Sequence, residues 1–199
     1  MLQEIAPMAL SDSDLLGDFH FYAFLCVVPS CFFTFVIVTI IHTVYLSLGS
    51  NQGDSLQILT DAISGIAATC GAIRAQSPVY RTAAWGRADQ PDFLNMAISI
   101  VTNLQPDSLL ISLQDIEQQN HRTRTTKWGQ RTLDIDILYY DNLILHLPHL
   151  TIPHPHLHQR AFVLVPLATI APMYLHPVLH LTTQQLLAQC DDTLAVVEL

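Results

Sequence analysis

Positive charge is scarce in this sequence. Only eight of the 199 residues are lysine or arginine, against 17 aspartates and glutamates, and the formal net charge is −9. The first cation along the chain is Arg74. General nucleic-acid binding requires a basic face, which this composition does not supply. We therefore expect no nucleic-acid partner.

The few cations are concentrated in one segment. Four of the eight lie between residues 122 and 131, namely Arg122, Arg124, Lys127 and Arg131. An acidic protein that gathers its cations in this way is expected to bind an anion there. The alternative interpretation is a solvated loop with scattered charge.

Cysteine pairs and phosphate-binding glycine motifs are missing. The four cysteines form neither a CxxC pair nor a zinc-ligand spacing, which predicts ordinary thiols of a reducing compartment. The turn at 49–54 lacks the Gly-Lys-Ser/Thr that completes a Walker A loop, so P-loop chemistry is excluded. No nucleophile elbow is present either. The acceptor of any transferred group is therefore expected to be a substrate hydroxyl and not a protein side chain.

Histidine, in contrast, is abundant. Five of the ten histidines crowd between residues 146 and 158, but prolines at 148, 153 and 155 interrupt them. The histidines therefore form no regular i,i+4 face for a metal such as zinc. A metal-binding module built from these histidines stays open as the weaker alternative.

An apolar run precedes the rest of the chain. Residues 19–41 form 23 consecutive positions without a charge, enough for a helix to cross a bilayer at about 1.5 Å per residue. A cleaved signal peptide is not expected, because a positively charged stretch does not precede the apolar run. Three interpretations stay open: a single membrane span, an apolar extension packed on the domain, and an upstream stretch included through a misplaced start codon. We predict an N-terminal extension at 1–42 and one folded domain at 43–199.

Hydrophobic periodicity predicts an α+β fold for this domain. Val44–Leu48 is predicted to be a buried strand, and a helix capped by Asp54 or Ser55 is predicted to end at Gly71. Pro106 opens a second helix at a favourable early position. The other predicted elements are strands at 73–80, 93–104 and 132–140, a short extended piece at 143–147, and helices at 158–169 and 182–189. The order β-α-β-β-α-β with extra C-terminal elements predicts a ferredoxin-like sandwich.

Two aspartates on the strand at 132–140 carry the strongest chemical signal. Because side chains alternate along a strand, Asp134 and Asp136 project from one face, while Leu133, Ile135 and Ile137 point to the core. Two carboxylates on one face repel each other unless a cation lies between them. Mg²⁺ suits such a pair, because one or two carboxylates and substrate phosphates commonly hold this ion. Two exposed acids on an edge strand are the alternative.

The basic loop before this strand strengthens the interpretation of the two aspartates as a magnesium site. A triphosphate with bound Mg²⁺ needs carboxylates for the metal and cations for the charge that shifts during transfer. The basic segment supplies those cations directly before the two acids, and arginine offers paired donors to phosphate oxygens. Trp128 lies inside the same loop, where a flat aromatic side chain suits a planar heterocycle or packs on the domain edge.

These segments resemble the 6-hydroxymethyl-7,8-dihydropterin pyrophosphokinase family. The resemblance rests on five blocks, at Tyr45–Asn51, Ser77–Thr82, Gln90–Asn95, Trp128–Asp136, and Leu150–His154 with Arg160–Phe162. It implies transfer of the β,γ-diphosphate of ATP to the hydroxymethyl group of the dihydropterin, with release of AMP, in folate biosynthesis. It also implies two Mg²⁺ ions, held by Asp134 and Asp136.

The resemblance assigns further residues to the two substrates. Arg122, Arg124, Lys127, Arg131 and Arg160 would line the path of the triphosphate. Nucleotide contacts would come from Gln114, Glu117, Trp128, Ile137, Thr151 and His154. Phe93 and Phe162 would sandwich the pterin ring, while Asn95 and the loop at Thr82, Ala83 and Trp85 would contact its polar edge.

One loop departs from the family pattern. Ala83-Ala84 stands where the family usually has two prolines, and Trp85 stands at a commonly leucine position. Together with the apolar run, this departure motivates an alternative, a membrane-tethered pterin- or nucleotide-binding protein without turnover. We expect a monomer with its catalytic domain in the cytoplasm, and membrane contact through 19–41 if that run is a span.

Overall fold

A computed structural model of the chain describes residues 39–83, 90–120 and 131–199. The contacts place Ile40–Leu199 in one compact unit. Its strands are β1 (His42–Ser50), β2 (Ala72–Gln76), β3 (Tyr80–Thr82), β4 (Phe93–Thr102), β5 (Asp134–Tyr140), β6 (Leu145–His146), β7 (Thr151–Ile152) and β8 (Val196–Glu198). The helices are α1 (Ser55–Thr69), α2 (Pro106–Gln119), α3 (Ala161–Ile170) and α4 (Thr183–Ala188), with a 3₁₀ turn at Leu157–Gln159.

The main sheet is antiparallel, and β1 lies near its middle. The strand order is β5-β1-β4-β3-β8, and β2 also pairs with β4. Gly49 of β1 is opposite Asn95 of β4 on one side and Asp134 of β5 on the other. The register therefore brings three distant sequence segments together at one end of β1.

Each face of the sheet is covered by its own hydrophobic cluster. On one face, Leu46 and Leu48 of β1 are fully buried with the apolar sides of α1 and α2. On the other, Tyr139 of β5 packs with Leu164 and Leu167 of α3 and with part of α4. Burying each such leucine contributes about 1.5–3 kcal/mol to the free energy of unfolding. The two clusters hold the sheet rigid between two layers of helices.

The mixed α+β class with an antiparallel sheet is confirmed, and so are the predicted starts of α1 and α2. Asp54 caps α1 through a 3.1 Å hydrogen bond that its carboxylate accepts from Gln57 N. Thr182 caps α4 in a capping box with Gln185, as the sequence predicts for a helix in this segment. The predicted helix at 158–169 is instead a 3₁₀ turn followed by α3, which begins at Ala161. Strands β7 and β8 were not predicted.

The apolar run at 19–41, for which a membrane span is one of three open interpretations, lies almost entirely outside the described residues. Only Thr39, Ile40 and Ile41 of that run fall within the described ranges, and both isoleucines are exposed. Across the part of the chain that the structure describes, none of the helices is long and apolar enough to span a bilayer. The boundary at 42/43 stays a prediction.

Candidate active site

The two aspartates project from one face of β5, as their alternation predicts. The residues around them, Leu133, Ile135 and Ile137, are at most 6% exposed and belong to the opposite face. The Asp134 and Asp136 side chains are 21% and 39% exposed. The guanidinium of Arg131 forms an ion pair with the Asp134 carboxylate. The pair therefore lies at the surface of a pocket and not in solvent.

The environment of Asp136 opposes its negative charge. Burial and the charge of Asp134 raise the pKa of Asp136 to about 6, while Arg160 and Arg131 act in the opposite direction. Two carboxylates that share one face cannot both ionise freely without a compensating cation. The site is therefore electrostatically suited to a bound divalent ion, which would relieve the repulsion.

One cavity of about 360 Å³ lies in front of the acids. The sheet contributes Ser47 and Gly49 from β1, Thr82 from β3, Phe93 and Asn95 from β4, and Asp134 and Asp136 from β5. The remaining lining residues are Ala83, Gln90, Arg131, His154, Arg160 and Phe162. Ten of the predicted site residues thus line a single cavity, although they are up to 80 positions apart in the sequence.

The cavity lining also includes aromatic rings and a fixed amide. Asn95 is 4% exposed, and its Nδ2 donates a 2.7 Å hydrogen bond to Thr82 Oγ1. This bond fixes the orientation of the amide. Phe93 and Phe162 line the same cavity, and the Arg160 guanidinium lies 5.8 Å from the centre of the Phe162 ring. These side chains offer apolar surface to a planar ring and hydrogen-bonding groups to its edge.

His154 is held as a neutral side chain beside the acids. Its Nε2 lies 3.9 Å from Asp136 Oδ2, and its Nδ1 accepts a 3.2 Å hydrogen bond from the backbone N–H of His156. Burial, and then the charge of Arg160, lower the pKa of His154 to about 4. At neutral pH the ring is therefore a hydrogen-bonding group and not a cation.

Asn51 links the segment at Arg131 to the segment at Pro91, a role that sequence reasoning missed. It is 3% exposed, and its Oδ1 accepts a 2.8 Å hydrogen bond from Arg131 N while its own N–H donates to Arg131 O at 3.0 Å. Its Nδ2 donates to Pro91 O at 3.2 Å. Ser47, Gly49 and Gln90, which line the cavity, were also missed. Their signal was limited to their presence in the sequence blocks that carry the family resemblance.

Four predicted nucleotide-binding residues do not line this cavity. Glu117 is 4% exposed, and its Oε1 accepts a 2.8 Å hydrogen bond from Ile135 N, the residue between the two aspartates. Ile137 is buried in the hydrophobic cluster under α1 and α2. Gln114 lies on α2 and Thr151 on β7, both partly exposed. The other predicted site residues, Trp85, Arg122, Arg124, Lys127 and Trp128, lie outside the described residues.

A metal at the two aspartates would need additional ligands. Within residues 39–83, 90–120 and 131–199, His, Cys, Asp and Glu side chains form no group of three or more that is arranged to hold a metal ion. Two carboxylate groups fit Mg²⁺ better than zinc, because Mg²⁺ keeps several waters and takes oxygen ligands from substrate phosphates. The donors that are present therefore fit a metal that arrives with a phosphate substrate.

Comparison with known proteins places the chain in a family. Residues 45–172 match the model of 7,8-dihydro-6-hydroxymethylpterin-pyrophosphokinase. The chain is 46% identical over 129 residues to the 2-amino-4-hydroxy-6-hydroxymethyldihydropteridine pyrophosphokinase of Methylorubrum extorquens, covering 64% of this chain and 82% of the relative. The protein of the same name from Synechocystis is 42% identical over 153 residues, covering 76% of this chain and 78% of the relative.

Solved structures agree on the fold. A Plasmodium falciparum HPPK-DHPS crystal structure superposes with a TM-score of 0.64 at 17% identity, over 75% of this chain. The chain spans 43% of that longer structure, so the likeness concerns this portion alone. At such low identity it is evidence of a shared fold only. On the family match and the identity to these relatives, the chain belongs to the 7,8-dihydro-6-hydroxymethylpterin-pyrophosphokinase family.

Proposed function

We propose that the chain transfers a diphosphate group from ATP to the hydroxymethyl group of 6-hydroxymethyl-7,8-dihydropterin, a step of folate biosynthesis. Family membership supports this activity. The observation that carries it is the set of side chains that line one cavity. Two carboxylates and two arginines line it together with two phenylalanines and a fixed amide. The charged groups match a polyphosphate, and the rings and the amide match a planar polar ring.

The charged residues of the cavity bind the nucleotide phosphates in this proposal. Asp134 and Asp136 would hold Mg²⁺, two ions by the family pattern, while Arg131 and Arg160 contact phosphate oxygens. A bound Mg²⁺ would supply charge neutralisation at the phosphates and orient them. His154 is neutral, and it therefore contributes a hydrogen bond and no charge. The predicted nucleotide contacts of Gln114, Glu117, Ile137 and Thr151, and of the residues outside the described ranges, belong to the proposal as expectations.

The aromatic rings and the fixed amide of the cavity bind the acceptor. Phe93 and Phe162 flank the pterin ring, and Asn95, with Thr82 and Ala83, contacts its edge. Because Asn95 Nδ2 is engaged by Thr82, its Oδ1 is the atom that is oriented to accept a hydrogen bond from the substrate. An amide that is already fixed before binding loses little conformational entropy when the substrate arrives.

The chemical step is a direct transfer between the two substrates. The hydroxymethyl oxygen attacks the β-phosphorus, a new O–P bond forms, and the bond from that phosphorus to the bridging oxygen of the α-phosphate breaks. AMP leaves and the hydroxyl proton is released. The chain aligns the two reactants and stabilises the shifting charge with its arginines, which are the main contributions an enzyme makes to phosphoryl transfer.

The finer description of the fold belongs to the same proposal. The chain order of the first seven elements, and the position of β1 between β4 and β5, support the ferredoxin-like arrangement that the sequence predicts. We further propose that the protein acts as a monomer in the cytoplasm. Membrane attachment through 19–41 stays a prediction, and a size measurement in the presence and absence of detergent tests it.

The proposal is tested by AMP formation from ATP and 6-hydroxymethyl-7,8-dihydropterin with the purified full chain. The expected result is AMP in the wild type and almost none in Asp136→Asn. The matched control is Asp115→Asn, because Asp115 is an exposed acid on α2. If the wild type binds both substrates but forms no AMP at saturating Mg²⁺, the protein is a binder without turnover.

A further inference from the structure

The first turn of α3 carries two residues of the cavity but lacks a cap of its own. Arg160 occupies the N-cap position, and its side chain makes no capping hydrogen bond. The helix then begins with Ala161 and Phe162. The first N–H groups of a helix have no partner within the helix, so something else must satisfy them. The position of Arg160 and Phe162 depends on how this turn is held.

Asp192 supplies the missing cap from a distant part of the sequence. Its Oδ2 accepts a 2.9 Å hydrogen bond from Ala161 N. Its Oδ1 accepts a 3.1 Å hydrogen bond from Leu194 N, which fixes the carboxylate relative to its own segment. A negative group at this end of a helix is favourable both as a hydrogen-bond acceptor and through the helix dipole.

The same C-terminal segment is also attached to β3, another element that lines the cavity. Four residues after Asp192, β8 begins and pairs with β3, and Val196 lies opposite Thr82. Leu199 N extends this attachment by donating to Val79 O at 3.0 Å. The segment from 192 to 199 thus connects the start of α3 to the short strand that presents Thr82 to the cavity.

We propose that Asp192 is a positioning residue for the acceptor pocket. By accepting the Ala161 N–H, it fixes the first turn of α3 and with it the position of Phe162 in the cavity that Thr82 and Asn95 also line. This inference rests on the proposed function, because it takes these three residues as part of the pterin site. Asp192 lies beyond the part of the chain that matches the family, which ends at residue 172.

Kinetics of the full chain test this inference with three variants. Asp192→Ala removes both acceptor oxygens, and Asp192→Asn keeps one. Asp191→Ala removes the same charge from the neighbouring exposed residue. We expect Asp192→Ala to raise KM for the pterin about fivefold, the factor that loss of one helix cap corresponds to. Asp192→Asn recovers part of the loss, and Asp191→Ala behaves as the wild type.

A binding measurement separates positioning from a general loss of stability. The pterin is titrated calorimetrically into enzyme that is saturated with α,β-methylene-ATP, at a temperature where circular dichroism shows every variant folded. We expect weaker pterin binding in Asp192→Ala at an unchanged number of sites. Fewer sites at unchanged affinity, or identical values for Asp192→Ala and Asp191→Ala, would overturn the inference. If the wild type forms no AMP, the proposed function fails instead, which is a distinct result.

Discussion

Replacing Gly49 by alanine is expected to disturb Asn95 in the proposed acceptor site without changing a carboxylate or an arginine. A Cβ at this position would lie 2.9 Å from Asn95 Oδ1, closer than non-bonded contacts allow. Asn95 is buried, and its amide donates the 2.7 Å hydrogen bond to Thr82. The amide cannot move away from the new methyl group without weakening that bond.

The magnitude follows from these two contacts. Loss of a buried hydrogen bond costs about 1 kcal/mol, and an extra methyl group in a packed site costs about 1–3 kcal/mol. We therefore expect the free energy of unfolding to fall by about 2–4 kcal/mol, the sum of the two costs. Because Asn95 is proposed to contact the pterin, kcat/KM for the pterin should fall about tenfold, the factor that about 1.4 kcal/mol represents. KM for ATP should stay unchanged.

Gly65→Ala is the matched control. A Cβ at Gly65 would meet Ile116 at 3.5 Å, an ordinary van der Waals contact. Since Gly65 lies inside α1, alanine there should raise stability by about 0.5–1 kcal/mol. Steady-state kinetics with each substrate varied, together with denaturant unfolding, measure both variants. Wild-type pterin kinetics in Gly49→Ala, or equal losses in both variants, would refute the assigned orientation of Asn95.

Three further predictions concern charge and buried polar groups. Asp136→Asn should lower kcat at least about 100-fold, because the site loses a ligand of the metal that neutralises the phosphates. Thermal unfolding of this variant without Mg²⁺ should show no loss of stability. Normal turnover would refute the metal assignment. Glu117→Leu leaves Ile135 N without its acceptor and should lower the free energy of unfolding by about 1–3 kcal/mol. Glu117→Gln keeps an acceptor oxygen and should restore most of this lost stability. Equal effects of the two variants in urea unfolding would contradict the prediction. His176 is 5% exposed, its Nδ1 accepts from Val178 N and Leu179 N, and burial lowers its pKa below 6.5. The unfolded chain then binds a proton at this residue that the folded chain does not, so the free energy of unfolding should fall as the pH drops below about 6.5, by at most about 1.4 kcal/mol per pH unit. His176→Asn should flatten this pH dependence in urea unfolding between pH 7 and 5. An unchanged slope would exclude His176 as its cause.

Local patterns predicted most of the elements and the acid pair. A strand alternates its side chains whatever it pairs with, and the projection of Asp134 and Asp136 could therefore be deduced before the sheet was known. Helix caps are equally local, since a side chain and a backbone N–H two or three residues apart decide them. The Asp54 and Thr182 caps were therefore within reach of the sequence.

Contacts between distant segments could not be predicted in the same way. The position of Gly49 between Asn95 and Asp134 depends on the register of two strand pairs, which no short-range pattern encodes. Asn51 and Asp192 are ordinary turn and tail residues in the sequence, and their importance arises from partners 80 and 31 positions away. Glu117 was assigned to the nucleotide because it matches a family position, and no short-range pattern indicated that its carboxylate accepts a hydrogen bond from the backbone of β5.

In the proposed reaction, an intact diphosphate passes from ATP to the hydroxymethyl oxygen at Asp134 and Asp136. Phosphorus NMR of the reaction mixture tests this transfer most directly, because AMP, ADP and a pterin diphosphate give separate signals. We predict that AMP and a diphosphate ester of the pterin appear in equal amounts with the wild-type chain, and that neither appears with Asp136→Asn. Formation of ADP with a pterin monophosphate, or equal product from both proteins, would contradict it.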